Sequence, residues 1–297
     1  MTLETSEQLL TADMLRRLER VQISSKIRPV GVSRGDRRSR QRGTSMQLVD
    51  YREYTAGDDP RQVDWNAYGR SGNLYVKLYE DEVLLDVHLC VDVSRSMDWG
   101  EPNKLEQARR IAAGIGYVGL ARFDRVYATP LDDMVGTTLG PFWGRDQASR
   151  LFRGLRAWSA QRTTDLATAL RAYTARIGRH PGLVVVISDL LSPTWEEGLR
   201  ALVRNRHEIV LIHLLAPEEV RPPMGEELRL VDRETGQAVE IHLDAYALDQ
   251  YARRFASWTT AIERFCIDHG ATLVRVDSDT PVETVLFETL RRRRVLA

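Results

Sequence analysis

The sequence predicts an α/β protein with a doubly wound, mainly parallel sheet flanked by helices. Three observations predict it. From residue 83 onward, apolar and β-branched runs alternate with helical patterns, the order that builds parallel strands joined by right-handed crossovers. Leu183–Ser188 and Glu208–Leu215 are nearly continuous in apolar residues, as strands covered on both faces are. The stretches between them carry apolar residues three and four apart, the period of a helix with one face buried.

Taken in order, residues 1–82 form an N-terminal region. A short amphipathic helix (Met14, Leu15, Leu18, Val21) leads into a turn-rich segment, Lys26–Arg42, with seven basic residues against Asp36. In Gly57–Gly72, GDDPRQVDWNAYGRSG, Asp59 suits an N-cap, Pro60 the first helical position, and Gln62 completes a capping box. Gly69 and Gly72 suit the end of that helix, and Trp65 is expected to pack against the α/β region. LYVKLYEDE then alternates Leu74, Val76 and Leu78 with Tyr75, Lys77 and Tyr79, as a strand does.

Residues 83–297 form the α/β domain. Val83–Val93 reads as a central strand and Lys104–Arg122 as a helix, with Leu105, Ala108, Ile111, Ile115 and Val118 on one face. Arg125–Thr129 and Met134–Leu139 read as short strands. Asp165–Ile177 is helical, with Leu166, Leu170, Tyr173 and Ile177 aligned. After Leu183–Ser188 follow a helix at Trp195–Asn205, a strand at Glu208–Leu215 and a long helix at Tyr246–His269. A strand at Ala271–Val276 and a helix at Val282–Arg293 close the domain. LRLVDRETGQAVEIHL reads as a β-hairpin inserted at about residues 226–243, turning at Glu234–Gly236.

The bulk numbers exclude several classes of partner. Forty-two basic residues balance 42 acidic ones, so no whole-molecule field attracts nucleic acid or an anionic membrane. Apolar runs fall far short of the ~20 residues that span a bilayer. The N-terminus has no basic start followed by an apolar stretch, so no signal peptide is expected. The two cysteines, Cys90 and Cys266, read as thiols of a reducing compartment. A soluble, cytoplasmic protein is the expectation.

Chemistry concentrates in Cys90–Gly100, CVDVSRSMDWG. Ligands of a doubly wound sheet sit beyond the carboxyl ends of its strands, and here the first strand ends in Asp92, Ser94 and Ser96. Alternate residues of a chain leaving a strand can turn their side chains to one side, so three oxygens can converge. Such hard ligands suit Mg²⁺ or Mn²⁺ rather than Zn²⁺. The other reading of the same residues is capping of the next helix. Two further junctions offer oxygen at the same sheet edge: Thr164 before the second helix, and Asp189 after Leu183–Ser188. Their other readings are again an N-cap and a turn.

The pattern DxSxS, a Thr-Asp pair opening a helix, and an aspartate after an apolar strand resembles the metal-ion-dependent adhesion site of the von Willebrand factor A fold. With GTSMQLVDYREYTAGDDPRQVDWNAYGRSGNLYVKLYEDE ahead of VDVSRSM, and VVVISDLL later, the chain resembles the bacterial domain-of-unknown-function 58 family. The likeness runs from about Leu18 to the C-terminus. It implies a metal set of Asp92, Ser94, Ser96, Thr164 and Asp189, the hydroxyls binding directly and the aspartates often through water. Arg162-Thr163 stands where many A domains have glycines, and Leu190 where a glycine commonly follows the aspartate. The resemblance further implies a non-enzymatic adaptor whose metal grips an acidic side chain of a partner, a MoxR-type AAA+ ATPase or its client.

Two rival classes remain at this point. A phosphotransferase of the haloacid dehalogenase type also ends its first strand in aspartate but needs a second carboxylate two residues on, where this chain has Ser94. Gly31–Gly35, GVSRG, matches a hydrolase elbow without the strand and helix that one requires. Nucleic-acid binding through Lys26–Arg42 lacks interleaved aromatics, and the RRRR run at Arg291–Arg294 suits a helix C-terminus.

Overall fold

The computed structural model of the chain describes residues 9–26, 47–55, 58, 60, 63–80, 84–133, 136–160, 163, 165–178, 181–222, 227–231, 238–242 and 244–297. Two compact units form: Met1–Arg28 with Leu85–Ala297, and Pro29–Leu84. The sequence reading placed residues 1–82 together, whereas residues 9–26 pack with the α/β unit. The reason is packing. Helix α1 (Ala12–Leu18), capped by the Thr11 hydroxyl, buries Met14 and Leu18 in the main core. The strand-like stretch after it pairs with the end of the chain, Gln22 and Ala297 exchanging hydrogen bonds of 3.1 and 2.9 Å.

The unit Pro29–Leu84 carries β1 (Gln47–Glu53), α2 (Trp65–Ser71) and β2 (Tyr75–Glu80), with β1 and β2 antiparallel. Helix α2 begins later than expected. Its N-cap is Asp64, whose carboxylate accepts from the Asn66 and Ala67 N–H groups; Asp59 and Gln62 lie outside the described residues. Gly72, at φ +72°, ends it in the left-handed conformation that favours glycine. Asp58, from the acidic turn, locks that loop by pairing with Arg52 and accepting from the Thr55 N–H and hydroxyl. Trp65 leaves 60% of its surface exposed and stands edge-on to Tyr68 within its own unit.

The α/β unit runs β3 (Asp86–Asp92), α3 (Lys104–Ala121), β4 (Arg125–Leu131), β5 (Leu139–Phe142), α4 (Ala148–Ala157), α5 (Leu166–Ile177), β6 (Leu183–Ser188), α6 (Trp195–Arg204), β7 (Glu208–Leu215), α7 (Pro217–Val220), β8 (Glu227–Val231), β9 (Ala238–His242), α8 (Ala245–His269) and β10 (Thr272–Asp277). The sheet order is β10-β7-β6-β3-β4-β5. Counted along the chain, that is the doubly wound order 3-2-1-4-5-6 read from the other edge. All pairs are parallel except β4 with edge strand β5. Strands β8 and β9 make the expected hairpin.

Alternation builds two cores on the two faces. Val87, Leu89 and Val91 of β3 and Leu183, Val185 and Ile187 of β6 enter the first, under α1, α3 and α4. Cys90, Val184 and Val186 enter the second, under α5, α6 and α8. Each fully buried aliphatic side chain contributes about 1.5–3 kcal/mol, so continuous apolar strands, not surface pairs, hold the fold. The structure departs from the sequence reading at three elements. Strand β5 sits later than Met134–Leu139, and Met134 lies outside the described residues. Helix α4 was unanticipated, although Ala148, Leu151 and Leu155 line its buried face. The last helix is broken into Val282–Thr284, a π-turn at Val285–Thr289, and Leu290–Arg292.

Candidate functional site

Strand β3 feeds β4 on one side while β6 feeds β7 on the other, which opens a crevice beyond their carboxyl ends. Asp92, the last residue of β3, lies there, 1% exposed. Its Oδ1 accepts from the Ser94 N–H at 3.0 Å and its Oδ2 from the Ser188 hydroxyl at 2.6 Å. Ser94 and Ser96 are buried, and their hydroxyl oxygens stand 3.0 Å apart. The capping reading does not account for them. Ser94 precedes a 3₁₀ turn, Arg95–Met97, and makes no capping hydrogen bond to it, while helix α3 is capped by Asn103.

Asp189 follows β6 and is buried beside Asp92. Its Oδ1 accepts from the Leu191 N–H at 3.1 Å, so it does serve its turn. Its charge and the surrounding burial push the Asp92 carboxyl up to about 6, burial being the larger cause. Thr164 lies outside the described residues. The N-cap of α5 is Asp165, which accepts from Thr168 N–H at 3.2 Å and from the Thr194 hydroxyl at 2.8 Å. Four of the five candidate residues thus gather at one point: Asp92, Ser94, Ser96 and Asp189.

Sequence reasoning missed the cation at this point. The Lys104 ammonium is fully buried, 2.8 Å from Asp189 Oδ2 and 2.6 Å from Glu219 Oε1. Burial opposes its charge, but the two carboxylates outweigh that and raise it above its ordinary value. Glu219, on α7, is raised by burial despite the nearby ammonium. Its Oε2 accepts from the Ala216 N–H at 2.8 Å, and the Tyr251 hydroxyl of α8 donates to its carbonyl. His213 of β7 shares a 3.1 Å hydrogen bond from Nε2 with the Asp189 carbonyl, and burial lowers its pKa to about 4. Gly100 brings the β3–α3 loop against this group. At φ +87° it has a backbone that glycine favours, and a Cβ there would meet the Ala216 Cβ at 2.7 Å. One signal for Lys104 was legible: it shares the apolar stripe of α3 with Ala108, Ile111 and Ile115.

The donor set suits a hard divalent cation. Among the described residues, no three His, Cys, Asp or Glu side chains cluster as metal ligands. The oxygens on offer are neutral hydroxyls beside carboxylates already committed to protein donors. Asp92, Asp189 and Glu219 against Lys104 leave a formal charge of minus two, the balance that one divalent ion would neutralise. A carboxylate destabilised by a second one is also a group that such an ion would relieve.

Comparison with known proteins places this geometry in a family. Residues 50–260 match the family described as "Protein of unknown function DUF58". The chain belongs to the DUF58 family. Every site residue discussed above falls inside the matched stretch. Relatives of similar length include the uncharacterized protein Rv1480 of Mycobacterium tuberculosis, 30% identical over 288 residues, covering 94% of this chain and 90% of that protein. Solved structures with a partial likeness include the conserved hypothetical protein BatB from Bacteroides thetaiotaomicron. It is 18% identical, with a TM-score of 0.44 over 70% of this chain and 98% of that one. Another is proximal thread matrix protein 1 from the mussel byssus, solved with a zinc-occupied MIDAS motif. It is 13% identical, with a TM-score of 0.41 over 71% of this chain and 48% of that one. Among the described residues, no helix is long and apolar enough to cross a membrane.

Proposed function

We propose that this DUF58 chain is a non-enzymatic, metal-dependent protein-binding adaptor. Ser94, Ser96 and Thr164 would hold Mg²⁺ or Mn²⁺, with Asp92 and Asp189 supplying negative charge around it. The ion would supply electrophilic character and a replaceable water, and a carboxylate is the group best suited to replace that water. The partner is then a protein presenting Asp or Glu, and the family resemblance points to a MoxR-type AAA+ ATPase or its client.

One observation carries this reading: two buried hydroxyls 3.0 Å apart beside a buried carboxylate, none of them used to cap the following helix. The same observation argues against phosphoryl transfer, because the second acid that chemistry needs is replaced by Ser94. The basic Lys26–Arg42 segment, from residue 27 on, lies outside the described residues. Isothermal titration of the full chain with the MoxR-type ATPase of the same organism tests the proposal. Binding is expected in Mg²⁺ and lost in chelator or in Ser94→Ala. Equal affinity with Mg²⁺ and with chelator would contradict it.

A further inference from the structure

Lys104 is expensive where it stands. It is the first residue of α3, at the helix end whose exposed N–H groups already carry partial positive charge. Its side chain has no access to water. Buried ion pairs contribute little net stability, and hydrophobic residues of similar volume often replace them without loss. Apolar side chains in place of the whole ion group would continue the stripe of Ala108, Ile111 and Ile115 at no greater cost. The ammonium's contacts point instead to an electrostatic task. One hydrogen bond goes to Asp189, whose other oxygen is taken by the Leu191 N–H; the second goes to Glu219, which anchors α7.

We infer that Lys104 is a resident counter-ion that sets how tightly this site holds its divalent cation, with Glu219 as the opposing weight. The inference rests on the metal reading above and deepens it. With the ammonium in place, the formal charge around the ion is minus two, and the bound site is neutral. Without it the charge would be minus three, and the ion would be held more tightly but left with less attraction for a partner's carboxylate. Without Glu219 it would be minus one, and the ion would be held less tightly. Affinity for divalent cations follows the charge of the groups around them, so Lys104 keeps the cation loosely held and receptive.

The two positions therefore predict opposite signs, which a merely structural role would not. The probe is Mn²⁺ titrated into the full chain, with free Mn²⁺ read by electron paramagnetic resonance and folding checked by circular dichroism. Lys104→Met is expected to bind Mn²⁺ tighter than wild type, and Glu219→Gln weaker. Each change is expected to be about 10- to 100-fold, the span of changes in groups that orient metal ligands. Equal affinity in all three proteins, or a shift in the same direction in both variants, overturns the counter-ion role. The metal reading survives that result if wild type binds Mn²⁺ and Ser94→Ala does not. No Mn²⁺ binding by wild type or by Lys104→Met overturns both. Should Lys104→Met fail to fold, Lys104→Gln takes its place: tighter binding than wild type supports the inference, and equal or weaker binding overturns it.

Discussion

Strand β3 buries a histidine in its amino half and an aspartate at its carboxyl end, and the fold treats the two in opposite ways. His88 is stacked on Tyr127, with ring centroids 4.8 Å apart, and its Nδ1 lies 2.7 Å from the Tyr173 hydroxyl. Burial, with smaller contributions from His207 and Arg125, lowers its pKa to about 3, so it is kept neutral. Four residues on, Asp92 is buried just as deeply beside Asp189, which in turn pairs with Lys104 and through it with Glu219. One end of the strand closes by packing neutral rings. The other closes by balancing charge, and leaves the balance two short. Buried polarity by itself therefore says little about function; an unbalanced charge inside a hydroxyl-lined crevice says a good deal.

The sharpest way to break this contrast is to disturb the balance. Asp189→Ala leaves the Lys104 ammonium paired with Glu219, and truncating one side of a buried ion pair costs about 3–5 kcal/mol. Urea unfolding measures it. A loss below about 1 kcal/mol would mean that the charges at the carboxyl end are not held by one another, contrary to their geometry.

A smaller effect sharpens the other half. Because His88 has a lower pKa folded than unfolded, the unfolded chain binds a proton that the folded chain refuses between about pH 6.5 and about pH 3. Stability must then fall as pH falls through that window, by at most about 1.4 kcal/mol per pH unit from this group. His88→Gln is expected to flatten part of that acid slope in unfolding curves recorded at successive pH values. An unchanged slope in the variant would place the proton uptake elsewhere, His207 and His213 being other histidines with lowered values among the described residues.

How much of this was legible in the sequence depends on how local each signal is. Leu183–Ser188 and Glu208–Leu215 came out with their observed ends, because an apolar run bounded by polar residues needs no distant information. Strand β5 was misplaced because Leu139-Gly-Pro-Phe142 reads as a turn, and only its pairing with β4 makes it an edge strand. Helix α4 follows GRDQ, whose polar character hid an apolar face that starts at Ala148. Asp92, Ser94 and Ser96 were visible because their spacing is local, and Asp189 because it ends so clear a strand. Lys104 and Glu219 were not, since their contacts join positions 85 and 115 residues apart. Stripe periodicity marks Lys104 as buried, but only the tertiary structure names what it neutralises.

The central claim is that the Ser94 and Ser96 hydroxyls, set beside Asp92 and Asp189, hold a divalent cation. Thermal unfolding of the wild type and of the Ser94→Ala/Ser96→Ala double variant, each with Mg²⁺ and with chelator, tests it most directly. A cation bound only by the folded chain stabilises it by about 2.7 kcal/mol at a hundred times its dissociation constant. The account predicts that Mg²⁺ raises the melting temperature of the wild type and leaves that of the double variant unchanged. A wild-type melting temperature that is the same in Mg²⁺ and in chelator, or an equal rise in both proteins, would contradict it.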